Sequence, residues 1–370
     1  MWKKILLVIV MIISVIVVLA LIKFPLYRYG RNVYDKKYFQ SYGKVASTPT
    51  YPVLRDWMKL LNDATPYNKI VIPGTHDSLT YDWEATYNIV RLYTGYWAKT
   101  QYLSARQQLD AGVRYVDARV GYDKASGKVV CFHGDFTNYN DYSKVIDDLS
   151  SFITENPSEV IVWKLLVYDN EPNARQTCLP LINEFHKKLN FIPLTPNRFS
   201  DTLATLRDAR PDKKRGGIIL VSPFPVGPEG SVWSNGFISD PYDESAPIIN
   251  KNALTMSRKP KPTNQPTIQP TNQPHPSDHP RFQSTMKKIY STKIFPEQNL
   301  TVMQYIAVYN TAQKTSLLYS VEAISANLNS MILDKTIPDP PPSGYNVIMI
   351  DFLTPQLAAG IIDYNLNLKL

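Results

Sequence analysis

The chain has 370 residues, of which 44% are hydrophobic, 19% charged and 12% aromatic, a profile that excludes a wholly disordered chain or a collagen and suffices for a full-sized core. Forty Lys and Arg against thirty-two Asp and Glu leave +8, which suits anionic surfaces such as phospholipid headgroups or nucleic acid and equally suits ordinary solubility. Two cysteines, Cys131 and Cys178, exclude a disulfide framework and a four-thiolate zinc site.

The first feature along the chain is Ile5 to Ile22, an uncharged run with Ser14 as its one hydroxyl, closed by Lys23 and Pro25. At about 1.5 Å per residue it nearly spans a hydrocarbon core of roughly 30 Å. Residues 1–30 are therefore expected to be an N-terminal, single-pass membrane anchor. The alternative is a cleaved signal peptide, with Lys3 and Lys4 as its charged start and Val18-Leu19-Ala20 as its cleavage region; the length of the run favours the anchor. The basic residues Lys23, Arg28, Arg31, Lys36 and Lys37 favour a cytoplasmic C-terminal part. The signal-like start favours export, and an extracytoplasmic catalytic part, secreted if cleaved, is the expectation adopted.

From about Val53, apolar strand-like runs alternate with amphipathic helical stretches, the pattern of parallel strands joined by crossover helices. Strands are expected at Lys69–Ile72, Arg114–Val120, Val129–His133, Val160–Leu166, Gly217–Val221 and Asn346–Asp351. Helices are expected at Ser104–Ala111, Tyr142–Thr154, Ala174–Leu189, Thr202–Asp208 and Ser316–Leu333. So many βα units point to an α/β barrel. Residues 259–281 interrupt it: Thr263 to Pro274 repeats a four-residue unit ending in proline, which forbids helix and interior strand and reads as a solvated insertion.

Five histidines can be weighed one by one. His186 lies in a helical stretch beside Lys187 and Lys188 and is expected at the surface. His275 and His279 are four apart, but Pro274, Pro276 and Pro280 forbid the helix that would make them a metal pair. His76 and His133 each follow a strand, where βα barrels collect catalytic groups. In Ile70-Val71-Ile72-Pro73-Gly74-Thr75-His76-Asp77-Ser78 the strand is expected to stop at Pro-Gly and expose His76 and Asp77. In Gln107 to Arg119 a helix ends at Gly112, and strand alternation puts Asp117 and Arg119 on one face. Val129 to Gly134 delivers His133 at a third strand end.

At Pro73 to Ser78, Gln108 to Arg119 and Phe132-His133-Gly134 the sequence resembles the X-type catalytic domain of phosphatidylinositol-specific phospholipase C, especially its bacterial, metal-independent branch. Weaker matches follow at Val160 to Lys164, from Trp233 to Asp240-Pro241-Tyr242, and at Val347 to Asp351. The resemblance runs from 54 to 370 and implies one phosphodiesterase barrel, an irregular (βα)8-like TIM barrel, carrying the 259–281 insertion. It implies cleavage of the glycerol–phosphate bond of inositol lipids, with a phospholipid membrane as partner, no nucleic acid, no cofactor and no metal. By the resemblance, His76 is the general base on the inositol 2-hydroxyl, oriented by Asp351. His133 is the general acid on the departing diacylglycerol oxygen, with Asp77 as its carboxylate partner. Arg119 neutralises phosphoryl charge, Asp117 positions the phosphate-binding groups, and Lys164, Trp233, Asp240 and Tyr242 line the headgroup pocket.

Elementary chemistry supports that set. Two imidazoles with ordinary pKa values of about 6.5 can serve as acid and base near neutrality. A guanidinium meets charge on nonbridging oxygens, and attack by a neighbouring hydroxyl on the substrate yields a cyclic phosphodiester. Calcium-dependent relatives carry carboxylates where this chain has Asp117-Ala118-Arg119, and a cation at Arg119 opposes a divalent metal. The strand Gly217–Val221 is followed by Ser222-Pro223, where the bacterial enzymes have a basic residue that reads inositol hydroxyls. This departure leaves two alternatives open: a phosphodiesterase on another lipid, such as sphingomyelin or lysophospholipid, and a non-catalytic, membrane-anchored lipid-binding barrel.

Overall fold

A computed structural model describes residues 2, 4–18, 54–81, 98–134, 136–169, 172–189, 191–195, 197–210, 215–224, 226, 238–239, 300–305 and 346–367. The strands are β1 (Ile72–Thr75), β2 (Tyr115–Asp123), β3 (Lys128–His133), β4 (Phe136–Asp141), β5 (Val160–Val167), β6 (Gly217–Val221), β7 (Ile238–Ser239), β8 (Leu300–Tyr305) and β9 (Val347–Ile350). Seven of them run parallel in the order β6-β5-β2-β1-β9-β8-β7. The first half of β2 pairs with β1 and β5, and its far end, from Val120 to Asp123, carries the antiparallel hairpin of β3 and β4. Among the described residues no pairing joins β6 to β7.

Side-chain alternation sorts the strands into two cores. Ile72, Tyr115, Val162, Ile219, Val221, Val347 and Met349 form one buried cluster, plugged from below by Trp57, Tyr67 and Phe199. Their neighbours Val116, Ala118, Ile161, Trp163, Leu165, Ile348 and Ile350 point the other way, against the helices. Two cores on opposite faces of one parallel sheet fit a sheet that curves around the first and carries helices outside, a barrel-like architecture.

The outer helices are α1 (Ala105–Asp110), α2 (Tyr142–Glu155), α3 (Ala174–His186), α4 (Leu203–Asp208) and α5 (Pro355–Asn367). Their starts follow from local chemistry. Ser104 and Gln107 form a reciprocal capping box on α1, Asp141 caps α2 through the Ser143 amide, and Thr202 caps α4. Beneath the barrel the buried Arg114 guanidinium lies 2.7 Å from Glu159 and donates to the carbonyls of Leu109, Val113 and Arg55. Every face of that charge is matched, the condition for burying one. Asn365 of α5 donates to and accepts from the Val71 backbone at 2.7 Å, extending β1 downward with a side chain in place of a strand.

Two expectations are corrected. The first strand is Ile72–Thr75 rather than Lys69–Ile72: Lys69 closes a short 3-10 helix, and the strand runs through Pro73 and Gly74. Pro73 lies one residue before the β1–β2 ladder begins at Gly74 and Tyr115, so its missing N–H costs no ladder bond. His186 is buried, not exposed; its Nε2 meets the Tyr142 hydroxyl at 2.9 Å, and burial pushes its pKa down to about 4. Of the single-pass span expected at 5–22, residues 5–18 are helical and 19–22 lie outside the described residues. Among the described residues no helix is long and apolar enough to cross a membrane. The insertion at 259–281, His275, His279 and the helix expected at Ser316–Leu333 lie outside the described residues.

Candidate active site

Strand register assembles the site. Gly74 pairs with Tyr115 and Met349, and Thr75 with Val116 and Ile350, so the next residue, His76, falls level with Asp117 and Asp351. Asp117 is itself paired with Lys164 on β5. One layer nearer the C-terminal mouth, Arg119 is level with Leu166. Inward parity is shared by all of these, because a period of two carries Ile72, Tyr115, Val162 and Val347 of the inner core into His76, Asp117, Lys164 and Asp351 above.

The loop after β1 is braced. Asp77 has φ +42°, an uncommon conformation for a residue with a side chain. Such strain costs about 1–3 kcal/mol and persists only where neighbours hold it. Here the His76 amide donates to the Ile350 carbonyl and the Ser78 amide to the Asp117 carbonyl, while the Ser78 hydroxyl accepts from the Asp117 amide and donates to the Thr75 carbonyl. Gln101 donates to the carbonyls of both His76 and Ile350 and accepts from the Leu353 amide, clamping the ends of β1 and β9 together.

The resulting constellation brings together seven of the expected residues. His76 Nδ1 lies 2.9 Å from Asp351 Oδ1, and its Nε2 lies 3.2 Å from Asp77 Oδ2. His133 Nε2 approaches the same Asp77 oxygen at 3.4 Å, and its Nδ1 lies 2.7 Å from the Ala98 carbonyl. A carbonyl only accepts, so Nδ1 carries a proton and Nε2 is the working nitrogen. The two imidazoles stand 6.2 Å apart, nearly perpendicular. Arg119 Nε lies 2.6 Å from Asp77 Oδ1 and its Nη2 donates to Asp117 Oδ2 at 2.7 Å; Lys164 Nζ lies 3.3 Å from Asp117 Oδ1. The contacts to Asp77 are off the hydrogen-bond direction, so both its oxygens are buried without a donor among the described residues.

Electrostatics follow from this packing. Burial by itself depresses the His76 imidazole, but the Asp77 and Asp351 carboxylates on either side outweigh it and hold its pKa above the ordinary histidine value. Burial opposes ionisation of Asp117, yet the Arg119 and Lys164 cations hold its carboxyl far below the usual carboxylate range. Burial likewise opposes the Arg119 charge, and Asp117 and Asp77 overcome it. His76, Asp77 and Asp117 offer ligand atoms within 4.8 Å of one another, a spacing a metal ion would accept. The Arg119 guanidinium already engages both carboxylates, so a divalent ion there would face a fixed positive charge, and the donor set fits an arginine better than a metal.

The site sits under the barrel mouth: Asp117 and Asp351 are fully buried, whereas the His133 side chain is 26% exposed and Arg119 13%. Trp233, Asp240 and Tyr242 lie outside the described residues; β7 ends at Ser239, the residue before Asp240. Ser222, the residue after β6, is buried and accepts from the Phe224 amide. Four contributors escaped the sequence reading: Thr100, whose hydroxyl donates to the Asp77 carbonyl, Gln101, the Ala98 carbonyl and Tyr168. Only Tyr168 had a signal, because Lys164, Leu166 and Tyr168 share one strand parity.

The resemblance read from the motifs recurs in comparisons with known proteins. The chain is 31% identical over 169 residues to a 1-phosphatidylinositol phosphodiesterase of Listeria monocytogenes, covering 45% of this chain and 48% of that protein. It is 26% identical over 188 residues to one of Staphylococcus aureus, covering 49% and 57%, and 32% identical over 151 residues to human PI-PLC X domain-containing protein 2, covering 34% and 48%. The aligned part thus spans about half the length of these curated relatives. No family model matches the chain. Among solved structures, the phosphatidylinositol-specific phospholipase C from Listeria monocytogenes superposes with a TM-score of 0.55 at 21% identity, covering 85% of this chain and 99% of that one. The Staphylococcus aureus enzyme gives 0.54 at 18%, covering 85% and 98%. At such identities the likeness shows the fold, an α/β fold similar to these barrel-like phospholipases.

Proposed function

We propose that this chain is a phosphatidylinositol-specific phospholipase C-type phosphodiesterase that cleaves the glycerol–phosphate bond of inositol lipids without a metal. The observation that carries the reading is the pair of imidazoles converging on one Asp77 oxygen, 3.2 and 3.4 Å away, with the Arg119 guanidinium beside it. His76, its Nδ1 proton directed at Asp351, takes the proton of a substrate hydroxyl adjacent to the phosphate. That oxygen attacks phosphorus, a cyclic phosphodiester forms, and the bond to the diacylglycerol oxygen breaks. His133 protonates the departing oxygen, and Asp77 steadies its imidazolium. Arg119 lies where nonbridging oxygens gather charge, and Asp117 and Lys164 fix its orientation. Water then opens the ring with the two histidines exchanging roles.

Asp240, Tyr242 and Trp233 are assigned to the headgroup side by the resemblance alone, as is the single barrel from 54 to 370. The apolar N-terminal helix, whose side chains from Ile5 to Val18 are exposed, is assigned to membrane attachment, which brings the mouth to a lipid surface. A second reading, action on a phosphodiester lipid with a different headgroup, is favoured by Ser222, which offers no cation to inositol hydroxyls. The test is release of diacylglycerol from phosphatidylinositol in EDTA by the wild type and by His76→Ala. Release that the substitution lowers by about 10²–10⁴-fold supports the proposal. No release from any inositol lipid, with turnover of sphingomyelin or lysophospholipid, moves the assignment to the second reading.

A further inference from the structure

We propose that Tyr168 is a second phosphate-contacting group, its phenol hydroxyl donating to a phosphoryl oxygen seated against Arg119. The proposal rests on the phosphodiesterase reading for its substrate and on independent geometry for its residue. The Tyr168 amide donates to the Val120 carbonyl at 2.8 Å, continuing the β2–β5 ladder one step past Val167. Tyr168 therefore keeps the inward parity of Lys164 and Leu166 and stands one layer above Arg119, toward the mouth. Its ring rests against Phe132, the residue before His133, with centroids 6.2 Å apart.

The donor arithmetic at Arg119 singles out this hydroxyl. Nε faces Asp77 Oδ1 and Asp117 Oδ2, and Nη2 donates to Asp117 Oδ2. Nη1 turns instead to the Tyr168 hydroxyl oxygen at 3.5 Å, the long limit of a hydrogen bond. In that contact the phenol accepts, so its own proton is directed elsewhere, and among the described residues no group takes it. Nη1–H and the phenol O–H thus offer two donors to one oxygen placed between them. Burial holds the Tyr168 pKa above its ordinary value despite Arg119, which keeps the phenol a neutral donor through the working pH range. A phosphoryl oxygen placed between the two donors replaces one long contact with two hydrogen bonds.

The experiment compares full-length wild type with Tyr168→Phe, which keeps the ring on Phe132 and removes only the hydroxyl. Binding of inorganic phosphate, cleavage of phosphatidylinositol and the thermal unfolding midpoint are measured on each. The expected result is phosphate binding weakened about 5- to 20-fold and kcat/KM lowered about 10- to 100-fold, with the unfolding midpoint little changed. Unchanged phosphate affinity and kcat/KM overturn the proposal, as does a loss of both accompanied by a fall in the unfolding midpoint. Should the wild type cleave no inositol lipid while Tyr168→Phe still weakens phosphate binding, Tyr168 stands as a phosphate contact and the phospholipase reading falls. Should lipid be cleaved equally by both proteins, the reverse holds.

Discussion

The His76 ring is held between two carboxylates, and this makes its protonation the step most open to test. As the proposed general base, His76 works only when neutral, and its pKa lies above the ordinary histidine value, so the acid limb of kcat/KM against pH is expected above about 6.5. Asp351→Asn removes one of the charges that favour the imidazolium. The pKa then falls, the acid limb moves to lower pH, and the plateau drops by about 10–10³-fold as the ring loses its orienting acceptor. A pH–rate profile of the two proteins checks this, and an acid limb that stays in place separates Asp351 from the proton of His76. The same sign governs stability: the His76 contribution is fully present below the unfolded value and is lost as pH rises through the folded one.

At the scale of the strand, Gly74 explains why β1 runs through Pro-Gly-Thr into His76. A Cβ on Gly74 would point into the barrel and meet Val347 Cγ1 at 2.9 Å and the Tyr115 side chain at 3.2 Å. The Gly74→Ala variant is expected to lose about 1–3 kcal/mol in urea unfolding, through overpacking. It is also expected to lose activity at temperatures where it is fully folded, because His76 lies two residues on along the same face. Folded protein with wild-type turnover would show that the inner layers are less tightly coupled than the contacts indicate. The same strand marks what the sequence could reveal. Alternation placed Asp117 with Arg119, and the helix-to-strand boundaries at Ser104, Tyr142 and Gly217 fell within a residue or so of the structure. The start of β1 did not, because Pro-Gly reads locally as a turn and only the close approach of Val347 and Tyr115 reveals that the glycine is needed inside a strand. β4 was missed because Phe136–Asp141 is polar and pairs with β3 at an edge of the sheet, without the apolar run that signals a buried strand. Ala98, Thr100 and Gln101 reach the site from between β1 and α1, outside every strand, and no periodicity connects such a segment to the strands it braces. His186 misled because its neighbours Lys187 and Lys188 are charged, whereas its own helical phase turns it toward Tyr142.

Across the whole molecule, the layer of His76, Asp117, Lys164 and Asp351 is a consequence of strand register, whereas on the proposed reading delivery of a lipid to it falls to the N-terminal helix. A barrel mouth with two imidazoles can process a monomeric substrate unaided. A bilayer substrate must also be held near, and the described part of the N-terminal helix presents Ile5, Leu7, Ile9, Ile13 and Val17 among many exposed apolar side chains. Burying one such side chain in lipid is worth about 1.5–3 kcal/mol, so a handful suffices for attachment. A chain carrying both Ile9→Asp and Ile13→Asp places two charges in that face, each costing about 2.5–3.5 kcal/mol in a membrane interior. Turnover of a short-chain inositol lipid below its micelle threshold is expected to match the wild type, while turnover on phosphatidylinositol vesicles falls at least about tenfold and the protein no longer sediments with them. Equal rates on vesicles would mean that the barrel finds its surface by other residues, and the apolar helix would then need a role apart from substrate capture.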